Sequence, residues 1–152
     1  MDEQLFILGP TDAEQIIAYE KGRLSAADPM EQEMASWHAK WRQESLNHHL
    51  PLGWSFGFKQ TINGESKLAG YFIGQPLLFF RGLTQTLWVE HIAFDSEEIG
   101  LKLIETAYRW AKDKHLQMVL FSDSKNLEFA KIHFPQLKLA DDIFLEMKSA
   151  RF

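Results

Sequence analysis

Apolar and polar positions along the 152-residue chain switch between a period of two and a period near 3.6, and the switches divide it into elements. Leu5-Phe6-Ile7-Leu8 is a continuous apolar run closed by Gly9-Pro10, which predicts a short buried strand over residues 4–9. Thr11, with Glu14 three residues on, predicts the N-cap and capping box of a helix that carries Ile16, Ile17 and Tyr19. Asp28-Pro29 opens a second helix, on which Met30, Met34, Trp37 and Trp41 recur at spacings of four, three and four. That stripe is expected to face the core; the alternative is that part of it walls a substrate cleft, since Met and Trp suit adaptable apolar recognition. The helix is expected to run on to His48-His49. Adjacent helical histidines point apart and make a poor metal pair, whereas imidazolium near a helix C-terminus is favourable in its own right.

Strict alternation then takes over. Trp54, Phe56 and Phe58 alternate with Ser55, Gly57 and Lys59, predicting a half-buried strand over 54–62. Asn63-Gly64 is a strong hairpin turn signal, and its partner strand is expected over 68–74, broken by Pro76. The apolar knuckle that follows, residues 77–80, reads as core, dimer contact or the lip of a ligand groove. Residues 87–94 form an apolar strand that runs through a short acidic turn, 95–98, into a long helix. Asp95 is expected to cap that helix with Glu98 at the capping-box position, and Ile99, Leu103, Ala107 and Trp110 share one face. The run LQMVLF, 116–121, predicts a fully buried parallel strand. A polar turn, a short helix over 126–134 with Leu127, Ala130 and Ile132 turned inward, and an antiparallel pair around Asp141-Asp142 complete the order β-α-α-β-β-β-α-β-α-β-β.

Composition narrows the function classes. The length predicts a single domain over residues 1–152. The net charge of −5 and the lack of a basic block disfavour nucleic acid. No apolar run approaches a membrane span, the acidic opening MDEQLFILGP is too short in apolar residues for a signal peptide, and a cytoplasmic protein is expected. With no cysteine there is no thiolate nucleophile or thiolate metal site. Aromatic residues reach 13%, more than a core requires, so some are expected at a groove or an oligomer contact.

Among single residues, Glu90 lies mid-strand and is a candidate general base, or else pairs with a lysine or faces solvent. A period of two puts His91 on the opposite face from Glu90, as a packed or hydrogen-bonded histidine. Gly100, inside a first helical turn, marks a close approach by a strand or a ligand.

The element order, with LWVEHIAF followed by IGLKLIETAYRWA, resembles the GNAT superfamily of acyl-CoA-dependent N-acetyltransferases. Glu90, Ile92, Ala93 and Phe94 match the family's strand; Ile99, Gly100, Leu103, Ile104 and Glu105 match its helix start; Asn126 and Ala130 match its next helix. The resemblance implies an α/β (α+β) three-layer fold: a mixed, mostly antiparallel sheet of six or seven strands, with a central parallel pair splayed at a bulge and helices on both faces. It implies an acetyl group moved from acetyl-CoA to a small-molecule or peptide amine by direct attack, with Glu90 as the base. His133, nearest to the family's Tyr, would be the acid. Ile92, Ala93, Phe94, Ser96, Ile99, Gly100, Leu101 and Asn126 would contact the co-substrate, and no metal is implied. The turn 95–98 departs from the family: it is about four residues short, and it is acidic where a basic or Gln position and a first glycine are usual. That departure supports an alternative, a GNAT-like binding or regulatory module without catalysis, dimeric through 77–80 or the Trp37/Trp41 helix.

Overall fold

The structure, a computed structural model, describes residues 2–24, 28–78, 85–122, 125–140 and 144–149. Among the described residues seven strands form one sheet: β1 (Asp2–Ile7), β2 (Phe56–Ile62), β3 (Glu65–Leu78), β4 (Gln85–Phe94), β5 (Met118–Phe121), β6 (Lys138–Ala140) and β7 (Phe144–Lys148), in the order β1-β2-β3-β4-β5-β7-β6. Every neighbouring pair is antiparallel except β4 and β5, which run parallel and are joined by the crossover helix α4 (Glu97–Asp113). The hairpin β2–β3 turns on Asn63 and Gly64, both at positive φ (53° and 78°), as the Asn-Gly dipeptide requires.

The sheet separates two apolar layers. On one face α4 packs Ile99, Leu103, Ile104 and Ala107 against Phe56, Phe72, Leu87, Val89 and Ile92. On the other, α1 (Ala13–Arg23) and α3 (Gln43–His49) bring Ile16 and Leu46 against Tyr71, Ile73 and Ala93. The strand β5 is buried along its whole length, as a run apolar on both faces must be.

Several expectations change. Strand β1 is an edge, with Leu5 and Ile7 exposed; only Leu8, just beyond it, is fully buried. The N-cap position of the first helix is Asp12, not Thr11, and it makes no side-chain cap bond; its carboxylate instead accepts from the Gly9 N–H at 2.7 Å, closing the short 3-10 turn that precedes the helix. The 29–49 region is two helices, α2 (Pro29–Trp37) and α3, with a turn between them. A spacing of three and four carries across such a turn unnoticed, but the turn separates the stripe. Trp41 enters the core, while Met30, Met34 and Trp37 stay exposed.

Pro76 does not end β3, which runs to Leu78. Beyond Phe72, β3 pairs only with β4, so the missing N–H lies along a stretch with no β2 partner. Ile132 is 86% exposed, at the end of a 3-10 segment (Lys125–Ile132) whose buried residues are Leu127 and Ala130. The knuckle residues Phe79 and Phe80, and Asp141-Asp142, lie outside the described residues.

Candidate functional site

The distinctive feature of the sheet lies on β4. Its register against β3 steps from Ile73↔His91 to Gly74↔Val89, so Glu90 is an extra residue, a β-bulge. On the other side of β4, the parallel pairing with β5 stops at Val89↔Phe121. From Glu90 to Phe94 the strand has no β5 partner, and the two strands part there.

The bulge also resets which way side chains point. Leu87, Val89 and Ile92 face α4, whereas His91 and Ala93 face α1 and α3. Glu90 lines a cavity with His49 and Ser45 of α3, so it shares the α1/α3 face with His91. This corrects the expectation from strict alternation: one extra residue in the strand shifts the period of two by one step.

Two cavities flank the bulge. The first, about 150 Å³, is lined by Ile92, Ala93, Phe94, Asn126 and Arg23. It gathers four of the residues expected to contact a co-substrate, and adds Arg23, the last residue of α1, which the sequence reading missed. A basic residue at a helix C-terminus reads as a dipole partner, and no local signal points it toward a strand about seventy residues away.

The second cavity, about 300 Å³, holds Glu90 together with Lys40, Arg42, Glu44, Ser45, His48, His49 and Gln75. The Trp88 indole N–H donates to Glu90 Oε2. Ser122, immediately after β5, hydrogen-bonds the Val89 carbonyl through both its N–H and its hydroxyl, each at 3.2 Å, and its hydroxyl also donates to the Glu90 carbonyl. Lys40 Nζ donates to the Ser122 Oγ at 3.1 Å, tying the α2–α3 turn to the point where the strands part.

The turn into α4 is organised differently from expectation. The N-cap is Ser96, whose Oγ accepts from the Ile99 N–H at 3.3 Å, and the Gly100 N–H donates to the Ser96 carbonyl at 3.0 Å. Asp95 instead accepts from the Tyr19 hydroxyl at 2.8 Å. Burial, and then that hydrogen bond, push the Tyr19 pKa far above its ordinary value. Gly100 accommodates rings: a Cβ there would lie 3.0 Å from Phe129 and 3.1 Å from Phe94, which pack edge to face at 5.6 Å. Glu97 and Glu98 are exposed. Leu101 is half-buried against the α4 core, and His133 is exposed and lines neither cavity flanking the bulge.

Arg23 joins the first cavity to a buried polar cluster. Glu20, 5% exposed, accepts from the Tyr71 hydroxyl at 2.7 Å and pairs with His91 Nε2 at 3.0 Å and Arg23 at 3.4 Å. Burial drives the Glu20 pKa up. The hydrogen bond and charge of His91, with Tyr71 and Arg23, outweigh it and leave the carboxyl below its ordinary range. No group of three or more His, Asp or Glu suited to a metal ion occurs among the described residues, and none of their helices is long and apolar enough to cross a membrane.

No protein-family model and no curated protein matches the chain. Solved structures do match. A polyamine N-acetyltransferase from Drosophila melanogaster superposes with a TM-score of 0.67 at 13% identity, covering 97% of this chain and 100% of that one. A PaiA N-acetyltransferase from Thermoplasma acidophilum, in complex with coenzyme A, gives 0.62 at 15%, covering 97% and 99%. A GNAT family acetyltransferase from Brucella melitensis, in complex with acetyl-CoA, gives 0.62 at 15%, covering 99% and 90%. The chain therefore has the GNAT acetyltransferase fold, with its sheet parted between β4 and β5 at Glu90.

Proposed function

We propose that this chain is a single-domain N-acyltransferase that takes an acyl group from acetyl-CoA to a small-molecule or peptide amine. The observation that carries the reading is the parting of β4 from β5 at the Glu90 bulge, with one cavity on each side of it. Beyond Val89 the β4 backbone has no β5 partner, which suits an extended pantetheine arm adding itself as a strand would. Ile92, Ala93, Phe94 and Asn126 would line the arm, and Arg23 would supply a cation. Bound there, acetyl-CoA supplies an acyl group already activated as a thioester.

Glu90 is the base of this reading. Trp88 engages Oε2, which fixes the carboxylate and leaves Oε1 to take up the proton that an attacking amine sheds. Ser122 and Lys40 hold the end of β5 against the bulge, so the gap keeps its shape. His133 has no such support, because it is exposed and away from both cavities.

The residues fit the arm of the co-substrate better than its diphosphate. At the α4 N-terminus the Ile99 and Gly100 N–H groups are already engaged, and Glu97 and Glu98 add negative charge. This observation favours the second reading, a binding or regulatory module on the same fold. A thermal-shift titration with acetyl-CoA separates the two. Ligand at ~100 times its dissociation constant stabilises by about 2.7 kcal/mol, which at roughly 2–4 °C per kcal/mol raises the Tm by about 5–10 °C. Glu90→Gln should keep that shift and lose acetyl transfer. No shift at millimolar acetyl-CoA rejects the enzyme reading.

A further inference from the structure

His49 is a buried group that the mechanism above does not use. It is 6% exposed, its Nδ1–H donates to the Ser45 carbonyl at 2.8 Å, and its Nε2 is buried with no hydrogen-bond partner among the described residues. A nitrogen whose ring partner carries the proton is an acceptor. Burial lowers the His49 pKa, which holds the ring in that neutral state. A buried acceptor without a donor is costly unless something brings one. His49 lines the same cavity as Glu90.

The charge along that cavity is divided. Glu90 and His49 offer acceptors at one part of the lining, while Lys40, Arg42 and the exposed carboxylate of Glu44 supply its other charges. Arg42 has Glu44 at a loose 3.8 Å. Lys40 has only the Ser122 hydroxyl at 3.1 Å, and no carboxylate partner among the described residues. A cavity with an acceptor pair and an unneutralised ammonium is complementary to a ligand that carries both a donor amine and an anion. A diamine would set its second cation against Lys40 and Arg42.

We propose that this cavity binds a primary amine that also bears a carboxylate or phosphate, its N–H groups on His49 Nε2 and Glu90 and its anionic end on Lys40 and Arg42. The inference rests on the acyltransferase reading for its catalytic meaning, because Glu90 is the base there, but the binding it describes is independent of acetyl-CoA.

The test is calorimetric titration of the full chain, without acetyl-CoA, using 4-aminobutyrate, β-alanine and phosphoethanolamine against propylamine and 1,4-diaminobutane. The zwitterionic probes should bind about tenfold or more tightly than the uncharged-tail amine, the scale of one charge-assisted contact, and the diamine should bind weakest. Lys40→Met should erase that ratio and Lys40→Arg should restore it. His49→Phe, which keeps the ring volume, should weaken every amine in the panel without lowering the Tm. Binding of the diamine as tightly as 4-aminobutyrate, a ratio unmoved by Lys40→Met, or binding of no probe at all overturns the proposal. Acetyl-CoA that fails to bind while 4-aminobutyrate does would remove the acyltransferase reading and leave this one standing.

Discussion

Removing the Glu20 carboxylate should be among the most destabilising single changes in the chain. Its side chain is 5% exposed and meets three donors: the Tyr71 hydroxyl, 2.7 Å away and itself fully buried, His91 Nε2 at 3.0 Å, and Arg23 at 3.4 Å. Glu20→Ala leaves a buried hydroxyl and a half-buried imidazole facing an empty volume. Breaking a buried charged pair from one side costs about 3–5 kcal/mol, a large share of the ~5–15 kcal/mol that holds a domain together. The Arg23 contact adds little, since that side chain is 43% exposed. Glu20→Gln keeps the volume and one acceptor oxygen, and should cost less, about 1–2 kcal/mol. With a urea slope of roughly 1–3 kcal/mol/M, Glu20→Ala moves the midpoint down by about 2 M.

The pH dependence has a definite sign. The folded-state pKa of Glu20 lies below the ordinary 4.5, so the unfolded chain takes up a proton first as pH falls. The stabilisation by the carboxylate is therefore complete above that ordinary value and is lost as pH falls through the folded one. The gap between wild type and Glu20→Gln should close over the same window. Equilibrium urea unfolding of the two proteins between pH 7 and pH 3 measures it. A Glu20→Ala protein within about 1 kcal/mol of wild type, or a gap that does not change with pH, would refute the reasoning. A double-mutant cycle with Tyr71→Phe should return a coupling of about 0.5–3 kcal/mol.

Other outcomes follow from single contacts. Ser96→Ala should cost about 1 kcal/mol in a urea titration, because it removes the side-chain cap of α4; Asp95→Ala should instead be read through the lost Tyr19 bond. Gly74→Ala sets a Cβ 2.8 Å from the Trp54 carbonyl oxygen, a backbone atom that cannot swing away, and should cost about 1–3 kcal/mol by the same assay. The His49 pKa is lowered in the folded state, so the unfolded chain binds a proton first below the ordinary 6.5. Wild-type stability should therefore fall as pH drops below that value, and the His49→Phe protein should fall less.

What the sequence conveys here depends on range. The apolar run of β5, the Asn63-Gly64 turn and the face of α4 are properties of consecutive residues, and the structure keeps all three. The bulge at Glu90 is a property of two strands. Nothing between Leu87 and Phe94 departs from an ordinary strand until Ile73 is set beside His91 and Gly74 beside Val89. The same limit hid the Glu20 cluster, whose partners Tyr71 and His91 stand 51 and 71 residues away. It also hid the exposure of Met30, Met34 and Trp37, because helical spacing records a face and not what covers it.

The junction from β4 into α4 holds two arrangements that make opposite demands of a co-substrate. Along 90–94 the strand keeps an unpaired side and a cavity lined by Ile92, Ala93 and Phe94, which an extended arm can use. At 95–100 part of the polar groups is spent internally: Ser96 on Ile99 and Gly100, Asp95 on Tyr19. Phe94 and Phe129 lie close over Gly100, where a Cβ would already be crowded, so the aromatic pair occupies the approach to the first turn of α4. An anionic group arriving at the strand half would therefore find its cation in Arg23, across the groove on α1, and not at the helix dipole. Arg23 is held over Tyr19 and against Glu20. The Glu20 cluster thus links the stability of the α1–sheet contact to the one positive charge among the described residues lining the strand-side cavity, and the two should weaken together when Glu20 is replaced.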